Sequence, residues 1–203
     1  FSPFSRAFGK RVIDVLLVLI AAPAVVLAML PMALLVARDG GSPFYTQMRI
    51  GRGGRVYRMW KLRTMVPDAD AKLAAYLEAD AGACAEWTRT QKLKSDPRIT
   101  GIGRFLRKTS LDELPQVWNV LRGDMSLVGP RPMLEEQRLL YPGRDYYALR
   151  PGITGLWQVH SRNDSAFAER ARFDTQYNRQ MSLGQDLRLL VATVGVVCRA
   201  TGH

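Results

Sequence analysis

Hydrophobic and polar positions divide the chain into one long apolar run and a series of shorter alternating or amphipathic segments. From Val12 to Ala37 the single charged residue is Asp14, and Val, Leu, Ile, Ala, Met and Pro make up the rest. That is longer than the roughly 20 apolar residues a membrane helix needs. A cleavable signal peptide would be shorter and would end at a small-residue cleavage site. A core helix apolar on every face would need a large soluble protein around it. Pro23 and Pro31 each delete a backbone hydrogen bond and clash with the preceding turn, which predicts a bend or break near one of them. Broken at Pro23, the arms would reach about 18 Å each, short of a hydrocarbon layer of roughly 30 Å. Arg6, Lys10 and Arg11 precede the run, and Arg38, Arg49, Arg52 and Arg55 follow it. Basic flanks on both sides place both ends on the cytoplasmic face under the positive-inside rule. A re-entrant helix over residues 1–38 meets this condition, with a kinked spanning helix as the alternative.

Beyond residue 38 the pattern changes to that of a folded body. Phe44 to Ile50 and Val56 to Leu62 flank Gly51-Arg52-Gly53-Gly54, which predicts a small β-hairpin with a glycine turn. Residues 67–93, rich in Ala, Leu, Glu, Asp and Lys, predict a surface helix with Asp68 supporting its first turn. A short helix is expected over residues 102–106. Ser110 and Glu113 have capping-box spacing ahead of an apolar stripe of Leu114, Val117, Trp118, Val120 and Leu121. Pro130-Arg131-Pro132 predicts extended backbone, and Pro151-Gly152 and Gly155 predict loop. The apolar stretch from Leu183 to Cys198 predicts a helix that either lies at a membrane interface or closes the core. The expected class is α+β, mostly helical, in two units: residues 1–38 in the membrane and residues 39–203 as a body with interfacial helices.

Charge narrows the partners. The 203 residues carry 29 Lys and Arg against 18 Asp and Glu, a net +11 that favours phosphates, acidic lipid or nucleic acid. No groove-reading motif accompanies the basic residues, so nucleic acid is not expected. Cys84 and Cys198 are too few and too far apart for a disulfide framework or a four-ligand zinc site. His160 and His203 are the only histidines, so chemistry falls to carboxylates and cations. A first residue of Phe suggests a piece of a longer or processed polypeptide.

Asp112 and Glu113 are adjacent carboxylates, which raise each other's pKa unless a cation faces them. Arg104, Arg107, Lys108, Arg122 and Arg131 surround them in sequence, a set suited to phosphate groups brought in with Mg²⁺. One carboxylate could then attack phosphorus while its neighbour holds the metal. Both could equally be charges that cap a helix N-terminus. Arg131, fixed between prolines, suits a phosphate ligand or a solvated loop charge. Lys61 and Arg63 alternate on a strand and could face a site or guard an exposed edge. Arg162-Asn163-Asp164 could hold nucleotide or close an Asx turn.

Taken together, these segments resemble the bacterial sugar transferase family, the monotopic polyprenyl-phosphate phosphoglycosyl transferases, over almost the whole chain. The resemblance starts at Lys10-Arg11 and Asp14 and includes Lys61-Leu62-Arg63-Thr64-Met65. It is densest in three runs: Ser95 to Thr100, Arg107-Lys108-Thr109-Ser110-Leu111-Asp112-Glu113-Leu114-Pro115-Gln116, and Gly123-Asp124-Met125-Ser126-Leu127-Val128-Gly129-Pro130-Arg131-Pro132. Pro151 to Val159 completes it. It implies transfer of a hexose-1-phosphate from a UDP-sugar to undecaprenyl phosphate with release of UMP, at the cytoplasmic face of the bacterial inner membrane. The implied nucleophile is Asp112, with Glu113 beside it and Mg²⁺ on both. Lys61, Arg107 and Arg131 are implied to engage phosphates, and Arg162 and Asn163 the nucleotide. The pattern looks most like members that transfer galactose-1-phosphate or glucose-1-phosphate, and exposed apolar surface would suit a homodimer. A basic membrane scaffold that gathers anionic lipid without turnover is the competing reading.

Overall fold

The computed structural model describes residues 3–90, 93–160 and 167–198, and its architecture is α+β and mostly helical. Helix α1 runs from Pro3–Ala37 and contains both Pro23 and Pro31. Any change of direction at the prolines is therefore a bend within one helix and not a gap between two arms. Each proline removes a single backbone bond, and the turns on either side hold.

Both ends of α1 are fixed to the same folded body. Near its start, Lys10 pairs with Asp186 at 2.6 Å, and the buried Asp14 accepts from Ser126 Oγ at 2.7 Å and from the Leu127 amide at 3.2 Å. Arg11 donates to the carbonyls of Val120 and Leu121. Val18 then packs with Tyr57, Met59, Val120 and Met125. Near its end, Ala33 and Val36 pack with Leu62 and Leu106, and Arg63 binds both the Val36 carbonyl and Asp39. That guanidinium holds the Asp39 carboxyl down to about 2. Between these docks the helix is apolar and largely exposed, with Ile20 75% and Leu27 78% exposed, until Met29 and Met32 join the second core.

The hairpin forms where the alternation predicts it. Strands β1 (Phe44–Ile50) and β2 (Val56–Leu62) pair antiparallel with Tyr45 opposite Lys61, and Gly53 and Gly54 take positive φ in the turn. The single surface helix expected over 67–93 is instead two, α2 (Ala69–Ala79) and α3 (Ala81–Thr90), separated at the extended residue Asp80. The Asp80 side chain accepts from the Ala83 amide, so an Asp in mid-run caps a new helix and does not continue the old one. Asp68, at the start of α2, makes no side-chain capping bond.

Helices α4 (Gly101–Thr109) and α5 (Gln116–Arg122) follow, then strand β3 (Ser126–Val128), which pairs in parallel with β4 (Gly152–Thr154). Residues 152–154 are thus a strand and not the loop their glycines suggest. The glycines permit it: a Cβ on Gly129 would lie 2.2 Å from the Arg150 carbonyl, and one on Gly155 would lie 2.0 Å from that of Gly129. Helices α6 (Asp145–Ala148), α7 (Leu156–His160), α8 (Arg170–Gln180) and α9 (Leu183–Cys198) complete the body. Helix α9 meets one of the two expectations for it: Leu189 closes a core with Val128, Leu149, Leu156 and Tyr177, while Leu187, Val191 and Val194 on the same helix are exposed.

Candidate active site

The carboxylate pair sits in a sharp turn that the sequence pattern misassigns. Thr100 caps α4 by accepting from the Gly103 amide at 2.9 Å, and α4 ends where Ser110 adopts the left-handed conformation at φ 57°, ψ 19°. Ser110 is the one non-glycine residue with positive φ among the described residues. The expected capping box does not form, because the Ser110 side chain makes no capping bond. The left-handed residue reverses the chain into a 3-10 turn, Leu111–Glu113, that delivers Asp112 and Glu113 together ahead of α5.

The two carboxylates share one ammonium. Lys61, on β2, places Nζ 2.8 Å from Glu113 Oε1 and 3.5 Å from Asp112 Oδ2. Asp112 is 7% exposed. Burial pushes its carboxyl above the usual range, Lys61 opposes the shift, Glu113 adds to it, and Arg107 opposes it further. Burial lowers the Arg107 guanidinium, which Asp112 in turn supports. Arg107 is oriented by Thr64, whose Oγ1 accepts from its Nε at 2.9 Å. That contact requires α4 to lie directly on the strand end, and Gly103 allows it: a Cβ there would fall 2.0 Å from the Thr64 carbonyl.

These residues line a cleft of about 720 Å³ that also receives Tyr45, Arg131, Thr154 and Gln158. Lys61, Arg107, Arg131, Asp112 and Glu113 are therefore brought together as expected. Arg162 and Asn163 lie outside the described residues. Of the other flanking cations, Arg122 turns to Asp124 at 3.4 Å and Arg104 to the Ile99 carbonyl. Three contributors carried no signal of their own. Thr64 orients Arg107, Asn119 braces β2 and Gln158 presents a buried, unpartnered Oε1. Asn119 and Gln158 are neutral polar residues inside apolar stretches, and Thr64 and Gln158 fall within runs that carry the family resemblance.

A buried carboxylate faced by Lys61 and Arg107 thus lines a cleft in a body that docks both ends of a long apolar helix. Comparison with known proteins gives the family. The model of the bacterial sugar transferase family matches residues 5–200, and the chain belongs to that family. It is 47% identical over 204 residues to a UDP-galactose-lipid carrier transferase of Erwinia amylovora, covering 98% of this chain and 42% of that protein. It is 44% identical over 197 residues to the exopolysaccharide production protein ExoY of Sinorhizobium fredii, covering 96% and 87% respectively. An undecaprenyl-phosphate galactose phosphotransferase of Salmonella typhimurium is 45% identical over 204 residues, 98% of this chain and 42% of that protein. The chain thus spans about two fifths of two of these relatives and most of the third.

Proposed function

We propose that the cleft transfers a hexose-1-phosphate from a UDP-sugar to undecaprenyl phosphate, the first membrane step of exopolysaccharide, capsule or O-antigen synthesis. The observation that carries this reading is the buried Asp112, faced by Lys61 and Arg107 in a cleft open to substrate. The names of the relatives, a lipid carrier transferase and a galactose phosphotransferase acting on undecaprenyl phosphate, support the substrate class.

In the first step an Asp112 carboxylate oxygen bonds to the sugar-bearing phosphorus, and the bond from that phosphorus to the bridging oxygen breaks, releasing UMP. The acyl phosphate then gives up its phosphorus to an oxygen of undecaprenyl phosphate. Asp112 leaves as carboxylate, and the product is a polyprenyl diphosphate sugar. Lys61, Arg107 and Arg131 stabilise charge on the phosphate oxygens through both steps. Arg162 and Asn163 belong to the nucleotide side of this reading.

The donor set also fits Mg²⁺. Among the described residues no group of three or more His, Cys, Asp or Glu converges on one point. Asp112 and Glu113 alone offer the one or two carboxylates that this ion takes when substrate phosphates fill the remaining positions. Bound there, Mg²⁺ would supply charge neutralisation across the diphosphate. Incubation with UDP-galactose or UDP-glucose should add the mass of one phosphohexose to the intact chain and release UMP. Turnover without any adduct under single-turnover conditions would replace the two-step route with direct transfer.

The position of α1 supports a one-sided attachment. Asp14 and Val36 are both buried in the same body, which supports a helix with both ends on one face of the membrane and the exposed stretch from Leu19 to Leu27 entering the lipid. The basic flanks make that face cytoplasmic. Cysteines substituted for Phe8 and Gly40 should both react with a membrane-impermeant maleimide in inverted vesicles and neither in intact cells. Reaction of the two from opposite faces would mean a crossing.

A further inference from the structure

Two arginines gather around one ring at a second place in the body, and a third, Arg49, adjoins Ile50, which bridges to Met133 close after Arg131. The guanidinium carbon of Arg170 lies 4.3 Å from the centroid of the Trp157 ring, and that of Arg131 lies 5.5 Å from it. Arg170 also lies 4.7 Å from the Phe167 ring. Arg49, on β1, stands near both: Arg131 repels it, and it repels Arg170 in turn. Burial is the larger influence on each, and it draws Arg170 down to about 10.

Their hydrogen bonds are incomplete. Arg49 Nη2 donates to Gln47 Oε1 at 2.6 Å, but the Nε atoms of Arg49 and Arg170 are buried without an acceptor. No ion pair among the described residues involves any of the three. The carboxylate that favours Arg170, Asp174, is engaged by the Tyr141 hydroxyl at 2.8 Å and pushed up to about 7 by burial, which leaves it a weak counter-charge. Buried donors without acceptors and like charges drawn together both cost free energy, and an oxyanion removes both costs at once. Guanidinium groups, planar and stacked on an aromatic ring, suit phosphate in particular. Arg131 also lines the cleft that holds Asp112, so the cluster touches the reaction space through that residue.

We infer that Arg49, Arg131 and Arg170 form a second phosphate subsite, built on Trp157, for a phosphate that is not the one bonded to Asp112. The inference rests on the phosphosugar-transfer reading. In that reaction the donor brings two phosphates and the acceptor one, so a phosphate other than the one bonded to Asp112 must be held at each step. The leaving nucleotide phosphate and the polyprenyl phosphate share the required chemistry.

The test uses the full chain in nanodiscs, titrated separately with UMP and with a polyprenyl phosphate while thermal stability and affinity are followed. Wild type should be stabilised by at least one of the two. Arg170→Met and Arg49→Met should each weaken that binding by about tenfold or more, and Arg170→Lys should recover part of it. An effect of UMP assigns the subsite to the nucleotide phosphate, and an effect of the polyprenyl phosphate assigns it to the lipid. Stabilisation by neither, or affinity unchanged in both Met variants, overturns the subsite. The phosphohexose adduct, read at saturating UDP-sugar, separates the two readings. Adduct in wild type with anion affinity unchanged in the variants removes the subsite alone. Loss of anion affinity in the variants without adduct in wild type removes the transfer chemistry and leaves the subsite.

Discussion

Asp112→Asn abolishes sugar-phosphate transfer and adduct formation while the protein still folds and associates with membrane. The substitution keeps the shape of the side chain and removes the one property the mechanism needs, a negative oxygen able to bond to phosphorus. Loss of a nucleophile costs several orders of magnitude in rate, on the order of 10⁴-fold or more. The fold tolerates the change because the carboxylate is costly where it stands. It is buried beside Glu113, and its charge is favoured chiefly by Lys61. Replacing it with a neutral amide removes one of two like charges from the turn and leaves Lys61 paired with Glu113. Unfolding should therefore occur at the wild-type temperature or slightly above. The same burial sets the pH profile of the wild type. The Asp112 pKa is raised, so the carboxylate protonates as pH falls through a value above the ordinary carboxylate range, and the acid limb of the rate should lie there. Retention of more than a few per cent of wild-type turnover by Asp112→Asn, measured as UMP release, would move the nucleophile elsewhere.

The site was legible in the sequence to the extent that its chemistry is carried by charge. Lys61, Arg107, Asp112, Glu113 and Arg131 stand out against apolar neighbours, and the structure draws all five to one cleft. Their roles were not legible, because spacing cannot distinguish a capping carboxylate from a buried one. The difference is made by Ser110, whose left-handed backbone breaks the helix pattern just where a capping box would have continued it. Strand β4 was hidden for a related reason. Pro151-Gly152 reads as a turn, and only the packing of Gly129 against Arg150 and Gly155 makes close strand pairing the better use of those glycines. The second subsite was illegible because Arg49, Arg131 and Arg170 come from three distant segments, and only tertiary packing sets Arg131 and Arg170 against Trp157. Helices α2 and α3 show the opposite failure. The composition predicts helix and helix forms, but Asp80, one of several Asp residues in the run, ends one helix and caps the next.

Asn119→Ala is expected to cost about 3 kcal/mol of stability, the sum for two buried backbone groups left without partners at about 1–3 kcal/mol each. Asn119 is completely buried on α5, and its side chain meets the free edge of β2. Its Oδ1 accepts from the Trp60 amide at 3.0 Å, and its Nδ2 donates to the Arg58 carbonyl at 2.7 Å. The amide thus stands in for a third strand beside a two-stranded hairpin, which on its own would be marginal. Its backbone carbonyl also accepts from the amides of Gly123, Asp124 and Met125, tying the end of α5 into the same brace. Alanine keeps the carbonyl and deletes the side-chain amide, so the loss is that of the two bonds to β2 and of a longer one from Nδ2 to Asp124 at 3.3 Å. A typical domain has about 5–15 kcal/mol in all, so the variant should unfold at visibly lower urea concentration but still fold. The functional loss should exceed the fraction unfolded, because the residue after Trp60 is Lys61, whose ammonium must reach both Asp112 and Glu113. Asn119→Asp provides the contrast. It restores an acceptor for Trp60 but removes the donor to Arg58 and buries a charge 3.3 Å from Asp124, so it should be no more stable than the alanine variant. Equal unfolding midpoints for wild type and Asn119→Ala would show that β2 is held by the hairpin and its apolar face alone.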